Sequence, residues 1–367
     1  MKAKRRLLLI TSAVLVVLVA LVALVIHRNE QLYKVTVLPT LGMRQILPEA
    51  VNDHGQVAGI ADGTAASRFD VFIWDRRNGL QNLGISTAYL AYINNTGQVA
   101  GTTTDPNGGK QAFLWDPKDG IKFLGTLDGT ESFAAALNSR GQVVGYTEYI
   151  KDQQAFIWDK AGGMRNITPK DQPYAKATAI NDVGQILGEI SAGYDLNRPK
   201  WSPFYRDSTD PDVVLTKTDI SPEDIPLNLE AINNNGYVLA ITRRNHGGMY
   251  WVYLWHKDAG LKRLFPVETR PASAAFNDAN QVLYTDRSLG RLRRFALKYF
   301  PHYGLHYLWD PKRGKVVLNT QVPRDLGKLV HVTDINNNGC IVGWLLPGRS
   351  GQLAGVLLEP IPERWDK

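Results

Sequence analysis

The chain has 367 residues, of which 44% are hydrophobic and 21% are charged. This composition is typical of a globular protein and excludes a disordered or fibrous chain. The formal net charge is +7, but residues 1–30 hold five Lys or Arg and one Glu, so the remainder carries only +3. Because the basic excess lies at the N-terminus, the sequence predicts no nucleic-acid partner.

The N-terminus has the pattern of a membrane anchor. Residues 1–6 include four Lys or Arg and precede an uncharged apolar run over residues 7–26. Twenty helical residues measure about 30 Å, the thickness of the bilayer hydrocarbon. No A-x-A cleavage pattern ends the run, which favours an uncleaved signal anchor over a signal peptide. We expect a cytoplasmic basic stub at 1–6, a transmembrane helix at 7–26 and a linker at 27–32. The rest would lie outside the cytoplasm, in the periplasm or at the cell surface, and a cleaved segment would make the protein secreted.

A two-part phrase then recurs seven times. Its first part reads INNTGQVAG at 93–101, and its second part reads AFLWD at 112–116. The asparagine of the first part is Asn52, Asn94, Asn138, Asn181, Asn233, Asn277 and Asn336 in the successive copies. The spacings of 42 to 59 residues indicate one structural unit that is copied along the chain.

Each copy reads as four short antiparallel strands. GQVAG and AFLW are apolar segments bounded by Gly, Asn and Asp, as buried strands are. The turn NxxG needs a residue with positive φ at its last position, which favours glycine and then asparagine. The sixth copy fits this rule because it reads NDAN, with Asn280 in the glycine position. A second tight turn follows AFLWD, as in DPKDG at 116–120.

Four-stranded units of this length, repeated four to eight times, are typical of a β-propeller. The sequence therefore predicts an all-β, seven-bladed propeller over residues 33–359, followed by a C-terminal tail at 360–367. The seventh copy supplies only three strands, whereas YKVTVLPTLG at 33–42 matches the fourth strand of other copies. We expect residues 33–38 to pair with residues 354–358 and so to close the ring.

The phrases INxxGQVVG, AFLW and xxLGTL resemble the HAF repeat family of bacterial extracellular proteins. The resemblance covers nearly all of residues 33–358. The histidine that names the family is replaced by Gln111 and Gln154, with Asp70 displaced beside VFIW, so no role of that histidine transfers to this chain. The resemblance implies an exported β-propeller and no particular reaction.

The repeated residue types predict structure more than chemistry. Five tryptophans recur at one position of the copy and are expected to pack blade against blade: Trp74, Trp115, Trp158, Trp255 and Trp309. The Asn and Asp turns offer too few oxygens for a calcium loop. We find no motif for a catalytic nucleophile, a phosphate loop or zinc, and so predict no cofactor, metal or catalytic residue.

Strand directions place both tight turns on one face, so the longer links share the other face. We expect insertions only on that second face, at 191–202, 208–227, 242–251 and 285–304. The last insertion is rich in arginine and aromatic residues, which suit an anionic polymer. The candidate ligand-binding residues are Arg291, Arg293, Arg294, Lys298, Tyr299, His302 and Tyr303, with Arg243, Arg244 and Trp201 from the other insertions.

The sequence thus favours a membrane-anchored binding or scaffold module for an anionic glycan or another envelope component. Two alternatives remain open. One is a glycan-active hydrolase or lyase with carboxylates gathered around the propeller axis. The other is a purely structural envelope module.

Overall fold

A computed structural model describes the chain as residues 31–62, 69–86, 88–149, 152–191, 201–207, 214–216, 227–243, 249–271, 274–286, 304–348 and 351–365. The predicted stub and transmembrane helix at 1–26 lie outside these residues. None of the described helices is long and apolar enough to span a bilayer.

The described chain is almost entirely β-strand. The strands are Tyr33–Val37 (β1), Gln45–Val51 (β2), Val57–Asp62 (β3), Phe69–Asp75 (β4), Gly79–Ser86 (β5), Ala91–Ile93 (β6), Val99–Thr104 (β7), Lys110–Asp116 (β8), Gly120–Phe123 (β9), Glu131–Leu137 (β10), Val143–Tyr149 (β11), Asp152–Asp159 (β12), Gly163–Asn166 (β13), Tyr174–Ile180 (β14), Ile186–Ser191 (β15), Ser202–Arg206 (β16), Val214–Thr216 (β17), Leu227–Ile232 (β18), Val238–Arg243 (β19), Tyr250–His256 (β20), Gly260–Val267 (β21), Ala274–Phe276 (β22), Val282–Asp286 (β23), Leu305–Asp310 (β24), Gly314–Val317 (β25), Lys328–Ile335 (β26), Ile341–Leu346 (β27) and Ala354–Pro360 (β28). A 3₁₀ helix covers Leu318–Thr320, and a short α-helix (α1) covers Pro362–Trp365.

These strands form four-stranded antiparallel groups, as the sequence predicts. Within the described residues they make five four-stranded sheets and one eight-stranded sheet. The eight-stranded sheet consists of β10–β13 and β14–β17, joined by a single parallel pair between Gln153 and Tyr174. We call each group of four strands a unit and number the units from the one that starts with β2.

The last unit draws its strands from both ends of the chain. β26, β27 and β28 pair in sequence, and β1 pairs antiparallel with β28, with Val35 opposite Leu358. The backbone N–H of Leu38 extends this pairing by donating to the carbonyl of Gly355 at 2.9 Å. Tyr33 is fully buried. The predicted pairing of residues 33–38 with the final strand is therefore confirmed.

A ring of asparagine side chains joins the first strands of neighbouring units. The Nδ2 of each repeated asparagine donates to the backbone carbonyl of the next, beginning with Asn52 to Asn94 at 2.9 Å. The series continues through the following copies, and Asn336 returns to the carbonyl of Asn52 at 2.7 Å. The first strands also contact each other from unit to unit around the same circle. Each buried amide thus fixes one unit against the next.

The two tight turns follow the predicted backbone geometry. The last residue of the NxxG turn has positive φ in each copy, including Gly55 at 74° and Asn280 at 58°. Asparagine tolerates this left-handed conformation better than other residues with a side chain. We call the end of each unit that carries both tight turns the tight-turn end, and the opposite end the long-link end.

The repeated tryptophans pack between units, as predicted. Trp74 of unit 1 lies in one apolar cluster with Val342 and Leu357 of unit 7. Trp158 of unit 3 is 3% exposed and clusters with Leu114 of unit 2. Each such indole buries its surface against the preceding unit, which makes the contact between units apolar.

One expected insertion is wrong, because it contains a strand. The expected insertion at 208–227 contains β17 (Val214–Thr216), which pairs with β16 as the fourth strand of unit 4. Three residues of the expected insertion therefore belong to the sheet of unit 4. The expected tail at 360–367 begins with the last residue of β28 and continues as α1. There Trp365 packs edge-on against Tyr33, with ring centroids 5.6 Å apart.

Candidate functional site

Most of the site predicted from the sequence lies outside the described residues. Arg291, Arg293, Arg294, Lys298, Tyr299, His302, Tyr303 and Arg244 lie outside the described residues, and Arg243 is placed only by its backbone at the end of β19. Trp201 is described and precedes β16 at the long-link end of unit 4. It belongs to a larger arrangement that the sequence did not reveal.

A continuous row of rings and amines crosses units 2, 3 and 4 at the long-link end. We call it the aromatic-lysine row, and it consists of Tyr89, Lys110, Phe133, Tyr146, Lys176 and Trp201. Phe133 and Tyr146 form its centre, with ring planes 15° apart and centroids 4.9 Å apart. These two residues lie directly opposite each other on β10 and β11, and the pairing of these strands sets the stacking.

Two lysines extend the row to its ends. The Nζ of Lys110 lies 5.4 Å from the ring centroid of Tyr89 and 5.6 Å from that of Phe133. The Nζ of Lys176 lies 4.4 Å from the ring centroid of Tyr146 and 5.2 Å from that of Trp201. Each ammonium group therefore bridges two rings by cation–π attraction. Tyr89 remains 53% exposed, which leaves one end of the row open to solvent.

Two carboxylates offset the positive charge of the row. Glu131 accepts a hydrogen bond from the backbone N–H of Lys110 at 3.4 Å, and Glu148 accepts one from the side chain of Gln153. Burial, followed by the charges of Glu148 and Glu131, raises the pKa of Tyr146. The row therefore combines apolar ring faces with balanced polar groups.

A half-buried carboxyl group lies on the first strand of unit 1. Glu49 occupies a β-bulge of β2, where the register shifts between Pro48 and Ala50. Burial raises the pKa of Glu49 to about 7. Burial, then the charge of Glu49, then that of Tyr146, raises the pKa of Tyr92 to about 12. Glu49 can therefore take up and release a proton near neutral pH.

The equivalent bulge of unit 5 also carries a glutamate. Glu230 lies between Leu229 and Ala231, where β18 shifts register against β19. Burial raises the pKa of Glu230, although the ion pair with Arg270, at 3.3 Å, opposes the shift. In the part of the chain that is described, no group of three His, Cys, Asp or Glu is arranged to hold a metal ion.

Sequence reasoning missed five of the six members of the row. Tyr89, Lys110, Phe133, Tyr146 and Lys176 lie outside the repeated phrases or at variable positions within them. The available signal was a set of aromatic and basic residues that recur near strand ends on the long-link side of successive copies.

Comparison with solved structures identifies the fold. The β-propeller domain of the Trilobed protease from Pyrococcus furiosus is 10% identical over 86% of this chain and 94% of its own, with a TM-score of 0.57. Virginiamycin B lyase from Staphylococcus aureus is 10% identical over 90% of this chain and 100% of its own, with a TM-score of 0.53. This chain is a β-propeller. TolB from Acinetobacter baumannii is 12% identical with a TM-score of 0.46, and the match spans 83% of this chain and 63% of that chain.

No family model and no curated protein sequence matches the chain. The resemblance to the HAF repeat family therefore stays a prediction. Structural similarity at 10% sequence identity shows the fold alone. The function therefore has to be argued from the side chains.

Proposed function

We propose that the chain is a membrane-anchored, extracytoplasmic propeller of seven blades that binds a glycan at its long-link end. The aromatic-lysine row carries this proposal. Sugar rings have apolar C–H faces that pack on aromatic rings, and their hydroxyl groups bond to flanking amines, amides and carboxylates. The row supplies both kinds of group side by side, across three consecutive units.

Selectivity for the charge of the glycan would depend on a different part of the protein. Lys110 and Lys176 are offset by Glu131 and Glu148, so the row itself favours sugar rings without selecting a net charge. A preference for an anionic glycan would come from the basic residues of the insertion at 285–304, whose described neighbours, Asp286 and Leu305, lie at the same end of unit 6. The anchor at residues 7–26 would keep this surface at the outer side of a membrane.

A glycan array probed with the full-length protein tests the proposal. Trp201→Ala and Tyr89→Ala each remove the ring at one end of the row, and each should lower glycan binding about tenfold, the effect of losing about 1.4 kcal/mol. Ile121→Ala is the matched control, because Ile121 is a 42% exposed hydrophobic residue at the tight-turn end. Replacing Arg291, Arg293 and Arg294 together by Ala should weaken only the anionic glycans.

The array can also contradict the proposal. If no glycan binds above background, or if Trp201→Ala and Tyr89→Ala bind as the unaltered protein does, the row is not a glycan site. A folded protein without any glycan ligand would support the structural envelope module instead.

A second candidate, a glycan hydrolase or lyase, is favoured by Glu49 alone. A carboxyl group with a pKa near 7 beside Tyr92 suits a general acid or base. Release of reducing ends from a panel of polysaccharides would measure the reaction. Glu49→Gln should abolish it while leaving array binding intact, whereas equal activity in both proteins would exclude Glu49 as the acid or base.

A further inference from the structure

Unit 6 carries a buried histidine at a position where the other units carry small apolar residues. His306 lies opposite Thr285 in the strand register, as Ala112 lies opposite Thr102 in unit 2. His306 is 0% exposed. The equivalent residues of the other units are Val71, Ala112, Ala155, Pro203, Val252 and Ala354. The repeat fold therefore does not require a titratable group at this position.

His306 lies where unit 6 packs against unit 7, a contact made by β24 and β26 that we call the joint. The backbone N–H of His306 donates to Oδ1 of Asn319 at 2.7 Å, and Nδ2 of Asn319 donates to the carbonyl of Leu329 on β26 at 3.2 Å. Leu308, two residues further along the same face of β24, packs in the apolar cluster that contains Leu329. The imidazole is therefore buried between two units, in surroundings that favour an uncharged side chain.

The two ring nitrogens of His306 are not equally satisfied. Nδ1 shares a hydrogen bond with Oγ1 of Thr285 at 2.9 Å. Nε2 is buried and has no hydrogen-bond partner among the described residues. A neutral imidazole has one donor and one acceptor, whereas an imidazolium has two donors that both need acceptors. Protonation would therefore place a charge and an unpaired N–H inside the joint.

Burial and a neighbouring histidine both favour the neutral ring. Burial, followed by the charge of His331 on β26, lowers the pKa of His306 from 6.5 to about 4. The backbone groups of Leu329 and Val330 oppose this shift but do not cancel it. Above pH 6.5 the ring is neutral whether the joint is open or closed. As the pH falls from 6.5 toward 4, the open joint takes up the proton first, so the closed joint loses stability.

The other charged groups on the strands around His306 do not offset an imidazolium. Lys315 of β25 lies over the ring of Tyr307, with its Nζ 3.6 Å from the ring centroid. Burial, followed by the charge of Asp286 on β23, raises the pKa of Tyr307. Because Tyr307 follows His306 directly, the two side chains point to opposite faces of β24. Lys328 is exposed at the start of β26, and the 3₁₀ helix has no charged residue.

We propose that His306 makes the joint between units 6 and 7 an acid-sensitive switch, at which the ring opens when the pH falls. The other units carry alanine, valine or proline at this position, so their contacts with the next unit do not respond to acid in this way. The switch does not depend on the proposed glycan site, since the aromatic-lysine row lies in units 2, 3 and 4.

Hydrogen–deuterium exchange of the full-length protein at pH 7 and pH 5 tests the switch. His306→Val introduces the residue of units 1 and 5 and removes the titration. Comparing the original with the variant at the same pH cancels the intrinsic pH dependence of exchange. For peptides from β24 and β26, the ratio of the opening constants, original to variant, should rise about twentyfold from pH 7 to pH 5. This follows from a pKa of 6.5 in the open joint and about 4 in the closed one.

His54→Gln is the matched control, because His54 is exposed in a turn of unit 1. Its opening constants in β24 and β26 should equal those of the original at both pH values. Peptides from β8 and β10, in units 2 and 3, should exchange alike in all of these proteins at each pH. If His306→Val does not fold, His306→Gln carries the test, since it removes the titration and keeps a polar group beside Thr285.

Two results would overturn the proposal. One is a ratio of original to folded variant that is the same at pH 7 and pH 5, which would mean that His306 does not couple the joint to pH. The other is an acid-dependent rise of equal size in every unit, which would mean that the whole propeller unfolds and the joint does not open by itself.

Discussion

At the scale of single residues, the repeated asparagine does more than shape a turn. In Asn138, the Oδ1 accepts from the backbone N–H groups of Arg140 and Gln142, at 3.1 and 3.0 Å. Its Nδ2 donates to the carbonyl of Asn181 in the next unit at 3.0 Å. The sequence predicted the turn correctly, but it could not reveal the second bond, because the partner lies 43 residues away.

Asn138→Asp separates these two roles. Aspartate keeps the acceptor that shapes the turn, but it loses the donor to Asn181 and places a carboxylate against that carbonyl. We expect a loss of about 2–4 kcal/mol in the free energy of unfolding, measured by urea denaturation. Asn78→Ala, at an exposed turn, should cost less than about 0.5 kcal/mol. If Asn138→Asp were as stable as the original, the asparagine would serve the turn alone.

Glu49 makes the stability depend on pH. Its folded pKa of about 7 lies above the ordinary value of 4.5, so the folded state favours the neutral form. The stabilisation it gives is complete below pH 4.5 and is lost as the pH rises through 7. Glu49→Gln should therefore become more stable than the original above pH 7, by on the order of 2–3 kcal/mol, and match it near pH 4.

Urea denaturation between pH 4 and pH 8 measures this difference. Glu363→Gln, which removes an exposed carboxylate from α1, is the control. A difference between Glu49→Gln and the original that does not vary with pH would mean that folding does not shift the pKa of Glu49.

At the scale of strands, each glycine of the second strand that pairs with phenylalanine leaves room for that ring. Gly145 pairs with Phe156 across β11 and β12, as Gly59 pairs with Phe72 in unit 1. A Cβ atom added to Gly145 would lie 1.9 Å from the carbonyl oxygen of Phe133 and 3.0 Å from the ring of Phe156. In the repeated GxxxG phrase, the first glycine therefore serves the turn and the second allows close packing.

Gly145→Ala should destabilise the protein by about 2–4 kcal/mol, because the backbone of β10 has to move away. Gly348→Ala is the matched control, since nothing lies within 4 Å of the Cβ position there. It should change the free energy of unfolding by less than about 0.5 kcal/mol. Equal thermal midpoints for the two variants would show that the contact in unit 3 is loose.

How well the strands could be predicted depends on how closely each copy keeps the phrases. Units 1 to 3 keep them, and each forms the four strands that the repeated pattern predicts. β17 was missed because VLT lacks the LG ending of other fourth strands. The aromatic-lysine row was missed for a different reason. Its members come from three units, between Tyr89 and Trp201, and only the closed fold brings them together.

At the scale of the whole molecule, closure depends on one N-terminal strand. β1 is the fourth strand of unit 7. Its first residue, Tyr33, and the residue that follows the strand, Leu38, are 0% and 1% exposed. Sequence reasoning could predict this pairing because residues 33–42 match a phrase whose place in the unit was known from other copies. The unit that closes the ring, unit 7, is therefore built from strands at both ends of the chain.

Removing residues 1–38 should open the ring, whereas removing residues 1–30 should leave it closed. We expect the longer deletion to lower the thermal midpoint by at least about 10 °C relative to the shorter one, because several kcal/mol of burial are lost. Circular dichroism melting curves would measure this difference. Similar midpoints would mean that unit 7 is stable with three strands.

The pairing of β1 with β28 also determines which end of the propeller an N-terminal anchor would hold next to a membrane. Tyr33 lies opposite Pro360, so both strands meet the flanking chain at the tight-turn end. Six residues, 27–32, span at most about 20 Å. An anchor at 7–26 would therefore hold the tight-turn end toward the lipid headgroups and present the aromatic-lysine row to the surroundings.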